Sequence, residues 1–211
     1  MNTKVNIKFG AVNNLSDARY AAGCGASFLG FNFNPEHPQY LDTEKFKEIA
    51  GWIDGPMMVA EWDDLPASYI RSETESLGLD YIQLNAFNQE LSEALSHFTL
   101  IQNFDLDHCK HFNEIILMVD AVQKHTKYYL LSFTDYDKQL SFLNDPHAKL
   151  LLIEFCRSYP VIFNFVWTSK NVLSTLEEFH PFGINISGSA EERPGVKDFA
   201  DLNSIIDLLE I

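Results

Sequence analysis

The chain has 211 residues, 46% of them hydrophobic, and a formal net charge of −15. Its 15 Lys and Arg residues leave no basic stripe for a phosphate backbone, which argues against nucleic acid as a partner. Met1 to Gly10 carry no apolar signal core and no apolar run approaches a membrane span. Cys24, Cys109 and Cys156 lack Cys-x-x-Cys spacing, so the expectation is a cytoplasmic protein in a reducing environment.

Taken in order, short apolar runs alternate with longer helical patterns, the rhythm of parallel strands joined by crossover helices. Val5 to Phe9 reads as a strand and Asn14 to Gly23 as a helix. Phe28 to Phe33 is the second strand, followed by a helix from Thr43, its cap, to Trp52. Met57 to Glu61 and Pro66 to Leu77 form the third unit, Tyr81 to Leu84 and Gln89 to His97 the fourth. Thr99 to Asn103 is the fifth strand, with a helix over His111 to Lys124. Tyr128 to Ser132 is the sixth, followed by a helix within Lys138 to Arg157. Val161 to Phe165 and Ser169 to Phe179 are the seventh unit. Gly183 to Ile186 is the last strand, then a Ser-Gly-Ser turn, a loop and a closing helix over Phe199 to Leu209. No low-complexity stretch or linker splits the chain. Eight units predict one (β/α)8 barrel over residues 1–211, with an open flavodoxin-like sheet as the alternative.

Chemistry in such barrels sits at the C-terminal ends of the strands. Ser187-Gly188-Ser189 leaves a strand there, and its backbone N–H groups suit an anion, above all phosphate. Around that turn the chain resembles a known family. Pro194-Gly195-Val196-Lys197-Asp198, Asn14-Leu15-Ser16-Asp17-Ala18, Leu29-Gly30-Phe31-Asn32-Phe33, Pro38-Gln39-Tyr40-Leu41 and Gly78-Leu79-Asp80-Tyr81-Ile82-Gln83-Leu84-Asn85 look like stretches of phosphoribosylanthranilate isomerase. That enzyme of tryptophan biosynthesis is a (β/α)8 barrel. The resemblance covers nearly the whole chain and is weakest over residues 100–160. It implies a phosphorylated small molecule as ligand, no cofactor, no metal, and a monomer or homodimer.

The resemblance also implies an Amadori rearrangement, which needs a general acid and a general base. The family's base is the cysteine of a Lys-Ile-Cys-Gly motif ending strand one. Its acid is an aspartate ending strand six. Anchored on the glycine, Ile7-Lys8-Phe9-Gly10 puts Phe9 at the base position, although the segment onward to the first helix is one residue longer than the family's. Leu130-Leu131-Ser132 puts Ser132 at the acid position. A phenyl ring moves no proton, and an unactivated hydroxyl is far too weak an acid. Gln39 replaces the arginine expected to hold the anthranilate carboxylate. Asn85 replaces a histidine, and Phe165 and Val166 replace the two glycines of a phosphate-closing loop. The expectation is therefore a catalytically degenerate barrel, retaining at most a partial phosphate site and acting as a binding or partner module. The alternative is an active isomerase, or a related phosphosugar isomerase, with a rearranged acid and base.

Three side chains are candidate substitutes. Lys8 lies out of phase with the apolar residues of its strand and is read as pointing into the barrel mouth. Glu61 ends the third strand, to act as a base or to pair with a lysine. Asp135, with Asp137, follows the sixth strand, as an acid or as a solvated turn. Candidate ligand-binding residues are Ser187, Gly188, Ser189, Gln83 and Gln39. His108 and His111, with Asp105 and Asp107, have a spacing that two metal-binding imidazoles could use, but a polar turn is the preferred reading. Phe163, Phe165 and Trp167 read as core.

Overall fold

Each strand is a near-continuous apolar run, because a parallel sheet wrapped by helices is buried on both faces. The structure, a computed structural model, describes residues 5–187, 191–193, 196–197 and 200–209. In chain order these form β1 (Asn6–Gly10), α1 (Leu15–Gly23), β2 (Phe28–Asn32), α2 (Thr43–Ala50), β3 (Met57–Trp62) and α3 (Ala67–Ser76). There follow β4 (Tyr81–Leu84), α4 (Gln89–Ala94), β5 (Thr99–Asp105), α5 (Phe112–Val122), β6 (Thr126–Ser132), α6 (Tyr136–Asn144) and α7 (Pro146–Ser158). The chain closes with β7 (Val161–Asn164), α8 (Val172–Phe179), β8 (Gly183–Ser187), β9 (Glu191–Arg193), β10 (Val196–Lys197) and α9 (Ala200–Leu208). β1 to β8 form a closed barrel in sequence order, with β8 paired parallel to β1. Closure excludes the open sheet.

Period-two alternation divides every strand between two cores. Phe28, Val59, Ile101, Leu130 and Ile162 meet inside the barrel as an apolar floor, with Tyr81, Tyr128 and Phe182 at its edge. The alternate positions, among them Ile7, Phe9, Leu29, Phe31, Trp62 and Ile82, pack outward against Ala18, Phe46, Ile49 and Ile70 of the helices. A second outer cluster joins Tyr129, Leu131 and Phe163 to Phe112, Val119, Leu152 and Phe155.

Local chemistry sets the helix ends. Asn14 caps α1 by accepting from Asp17 N–H. Asp42, rather than Thr43, caps α2, accepting from Lys45 N–H; a carboxylate one residue earlier is the better acceptor at the positive end of the helix. The helical stretch after β6 is two helices. Pro146 cannot continue α6 but suits the first turn of α7, where Asp145 accepts from His147 and Ala148 N–H. The tail differs from the expected loop: β9 and β10 pair antiparallel before α9. Among the described residues no helix is long and apolar enough to cross a membrane.

Candidate functional site at the barrel mouth

Two residues beyond the apolar floor, the inward positions turn polar. Lys8 of β1 is 1% exposed, and a buried ammonium needs a partner. It has two: its Nζ donates to Glu61 Oε1 of β3 and to Asn185 Oδ1 of β8 at 3.1 Å. The other oxygen of Glu61 accepts the Ala11 N–H at 3.1 Å. The pair needs the glycine beside it. A Cβ on Gly30 would fall inside contact distance of Glu61 Oε1 and 2.7 Å from Lys8 Nζ.

From Asn185 the hydrogen bonds run around the barrel. Asn185 Nδ2 donates to Asn164 Oδ1 of β7 at 2.9 Å, and Asn164 Nδ2 donates to Ser132 Oγ of β6 at 3.1 Å. The Ser132 hydroxyl donates to Asn103 Oδ1 of β5 at 2.5 Å. On the opposite wall Gln83 Nε2 donates to Asn85 Oδ1 at 2.7 Å, and Asn85 Nδ2 donates to Asp63 Oδ1 at 3.0 Å. Asn34 Nδ2 donates to the other Asp63 oxygen. Gln83 Oε1 is buried and has no hydrogen-bond partner among the described residues. The mouth is thus lined by amides, one hydroxyl, the Lys8–Glu61 charge pair and the Asp63 carboxylate, which two amides hold.

Lys8 and Glu61, read separately from the sequence, meet each other in the mouth. Ser132 faces the lumen, but its hydrogen-bond partners are amides, which cannot take its proton. Phe9 does not face the lumen. Its ring packs edge-on against Tyr20 of α1, centroids 6.1 Å apart, in the helix layer. The inward residue there is Gly10, where an added Cβ would lie 3.0 Å from Asn185 Oδ1 and 3.3 Å from Lys8 Nζ. Counting from the helix side, across the one-residue difference, also puts Gly10 at the cysteine's place and Ala11 at that of the motif glycine. Ala11 has φ +50°, the left-handed region that glycine favours. Gly10 is thus the inward residue at the end of β1, and neither it nor Phe9 carries a proton-transfer group.

Asp135 is exposed and serves as the N-cap of α6, accepting from Asp137 and Lys138 N–H. Gln39 stays on the loop after β2, its N–H donating to His37 Nδ1 at 3.1 Å. His108 pairs with Asp105 at 2.8 Å on the surface, and no group of three or more metal-ligating side chains gathers among the described residues. After β7, Val166 N–H donates to Gln139 Oε1 at 2.7 Å and Thr168 N–H to Asn171 Oδ1 at 2.9 Å. Phe163 and Phe165 stack at 4.3 Å within the outer core, and Trp167 Nε1 donates to Asn185 O at 3.0 Å. The Ser187 backbone pairs with Gly10 at the end of β8; Gly188 and Ser189 lie outside the described residues. The amide chain of Asn103, Asn164 and Asn185 escaped the sequence reading. Its trace there is the recurrence of Asn at strand ends.

No family model matches the chain. It is 27% identical over 209 residues to N-(5'-phosphoribosyl)anthranilate isomerase of Geobacter metallireducens, covering 96% of this chain and 97% of that protein. With the enzyme of the same name from Syntrophus aciditrophicus it shares 24% over 212 residues, 95% of this chain and 85% of that one. Along nearly its whole length the chain is similar to phosphoribosylanthranilate isomerases. The same fold is seen in the solved isomerase of Thermotoga maritima, at TM-score 0.78 and 18% identity over 98% of both chains. This chain combines a barrel matched along its whole length with a mouth whose inward positions carry amides, glycine, serine and the Lys8–Glu61 pair.

Proposed function

We propose that this barrel does not catalyse the family's rearrangement and works as a binding or partner module. One observation carries the reading: at the two inward positions where the family places its base and acid stand Gly10 and Ser132, and the Ser132 hydroxyl is held between two amides. Loss of general acid or base catalysis costs on the order of 10²–10⁴ in rate for each group. The loop after β7 supports the same conclusion, since the N–H groups of Val166 and Thr168 are already hydrogen-bonded to side chains. Any phosphate site is then the half formed by Ser187, Gly188 and Ser189, with Gln83 and Gln39 as flanking contacts. On this reading the protein is cytoplasmic, a monomer or homodimer, and its partner is a phosphorylated small molecule or a protein.

A second reading is favoured by the meeting of Lys8 with Glu61. In it the pair replaces the missing acid and base, and the protein is an active isomerase on phosphoribosylanthranilate or a related phosphosugar. Asp135 takes no part, since it caps α6.

The test is turnover of phosphoribosylanthranilate, followed as loss of substrate fluorescence, for the wild type and for Gly10→Cys with Ser132→Asp. Expected is no wild-type turnover above the uncatalysed rate. Wild-type turnover that Glu61→Gln abolishes would overturn the first reading in favour of the second. Activity confined to the double variant would mean that the substrate pocket survives and only proton transfer was lost. A folded but inactive double variant would direct the search to other ligands and to protein partners.

A further inference from the structure

A second cavity lies outside the barrel, on the far side of the β6 wall from the lumen. Its volume is about 370 Å³, within the span of roughly 300–1,000 Å³ common to small-molecule sites. Its walls follow from the doubled helix of the sixth unit. The break at Asp145-Pro146 turns α7 away from α6, and the two enclose a cleft with the loop after β5. Leu106 and Phe133, the residues just past β5 and β6, line the floor with Phe112, Phe142 and Leu151. The Phe142 ring meets Phe112 edge-on at 5.7 Å and Phe133 at 5.4 Å, so one wall is aromatic.

Four charged residues on the rim, two acidic and two basic, differ in how far they are committed. The Asp107 carboxylate already accepts from Thr134 N–H at 2.8 Å and from the Thr134 hydroxyl at 2.5 Å. The Asp145 carboxylate is used as the cap of α7. Lys110 and Lys138 are exposed, and among the described residues neither has a carboxylate within ion-pair distance. Lys138 Nζ donates to the Asp107 carbonyl at 2.9 Å, which points it across the cleft. The four charges balance, and Lys110 is the one of them with no hydrogen-bond or ion-pair partner among the described residues, so it is the rim charge left to meet a ligand.

We propose that the cleft is a binding site for a small aromatic anion. The ring lies against Phe112 and Phe142, and the anionic group faces Lys110 and Lys138. An aromatic wall favours a flat, polarisable ligand, and a charge-assisted contact at the rim selects an anion over its neutral analogue. The site is independent of the lumen and of whether the barrel turns over any substrate.

Fluorine NMR titration with 4-(trifluoromethyl)benzoate, beside the neutral 4-(trifluoromethyl)benzyl alcohol, tests it. The benzoate is expected to bind roughly tenfold more tightly than the alcohol, about the worth of one charge-assisted hydrogen bond. Lys110→Gln with Lys138→Gln, both on the surface, brings the benzoate down to the level of the alcohol. Ala148→Trp fills the cleft and abolishes saturable binding of both. Equal affinity of the two probes, no saturable binding to the wild type, or benzoate binding unchanged in the double lysine variant would each overturn the proposal.

Discussion

Two carboxylates do the same architectural task in two regions of this barrel. Glu61 ties β3 to β1 inside the mouth by accepting from Lys8 and from Ala11 N–H, and it is 4% exposed. Asp107 ties the loop after β5 to the loop after β6 on the outer rim by accepting from Thr134 N–H and hydroxyl, in partial contact with water. Both are cross-strand ties of a carboxylate to backbone. The difference is the solvent. Lys8 and Glu61 are almost wholly out of solvent's reach, so a lost partner is costly there; on the rim, water and salt stand in for it.

The sharpest way to break the comparison is to remove one member of the luminal pair. Glu61→Ala leaves Lys8 buried without its carboxylate, with only the side-chain amide oxygen of Asn185 to face. The expected loss is about 3–5 kcal/mol, read from urea unfolding at neutral pH. Replacing both, Lys8→Met with Glu61→Val, removes the buried charge altogether and is expected to restore most of that stability. If Glu61→Ala costs no more than a rim substitution does, the luminal tie is as well solvated as the outer one and the contrast collapses.

Gly30 offers a smaller and more specific test. A methyl group there meets the Glu61 carboxylate and Lys8 Nζ, so Gly30→Ala is expected to cost about 1–3 kcal/mol through overpacking. In the Lys8→Met, Glu61→Val background the atoms it meets are gone, and the penalty should largely vanish. An equal penalty in both backgrounds would place the strain in the backbone instead of the pair.

These residues mark how far the sequence could be read. The apolar floor and the helix layer were legible because Phe28, Val59, Ile101, Leu130 and Ile162 recur at strand spacing, and eight such units leave few closed architectures. Lys8 and Glu61 were legible singly, since a charge out of phase with an apolar strand must point elsewhere. Phe9 was misplaced because a motif glycine was used as anchor ahead of strand parity; if Lys8 points in, Phe9 points out and Gly10 points in. The chain from Asn103 through Ser132 and Asn164 to Asn185 was not legible at all. Each link joins neighbouring strands that are 21 to 32 residues apart in sequence, and only closure of the barrel sets one amide against the next.

The smallest effect belongs to the rim. Burial pushes the Asp107 carboxyl upward, but hydrogen bonds from the Thr134 hydroxyl and N–H and from Asp135 N–H, with the charge of Lys138, outweigh it and hold it below its ordinary value of 3.8. A carboxyl lowered on folding contributes stability that is fully present above its unfolded value and is lost as pH falls through the folded one. The contribution is therefore intact at pH 6 and fades below 3.8, the ordinary value. Water limits it to no more than about 1 kcal/mol, the range of exposed charge contacts. Urea midpoints for the wild type and Asp107→Asn should thus differ modestly at neutral pH, with the wild type the more stable, and converge in acid. Raising the salt concentration should shrink the gap as well, because this tie lies where counterions reach it. A gap that stayed constant from neutral to acid pH would mean that the charge of Asp107 contributes nothing beyond its hydrogen-bonding shape, which the asparagine keeps in part. A gap as large as that of Glu61→Ala would mean that the rim is as dry as the lumen.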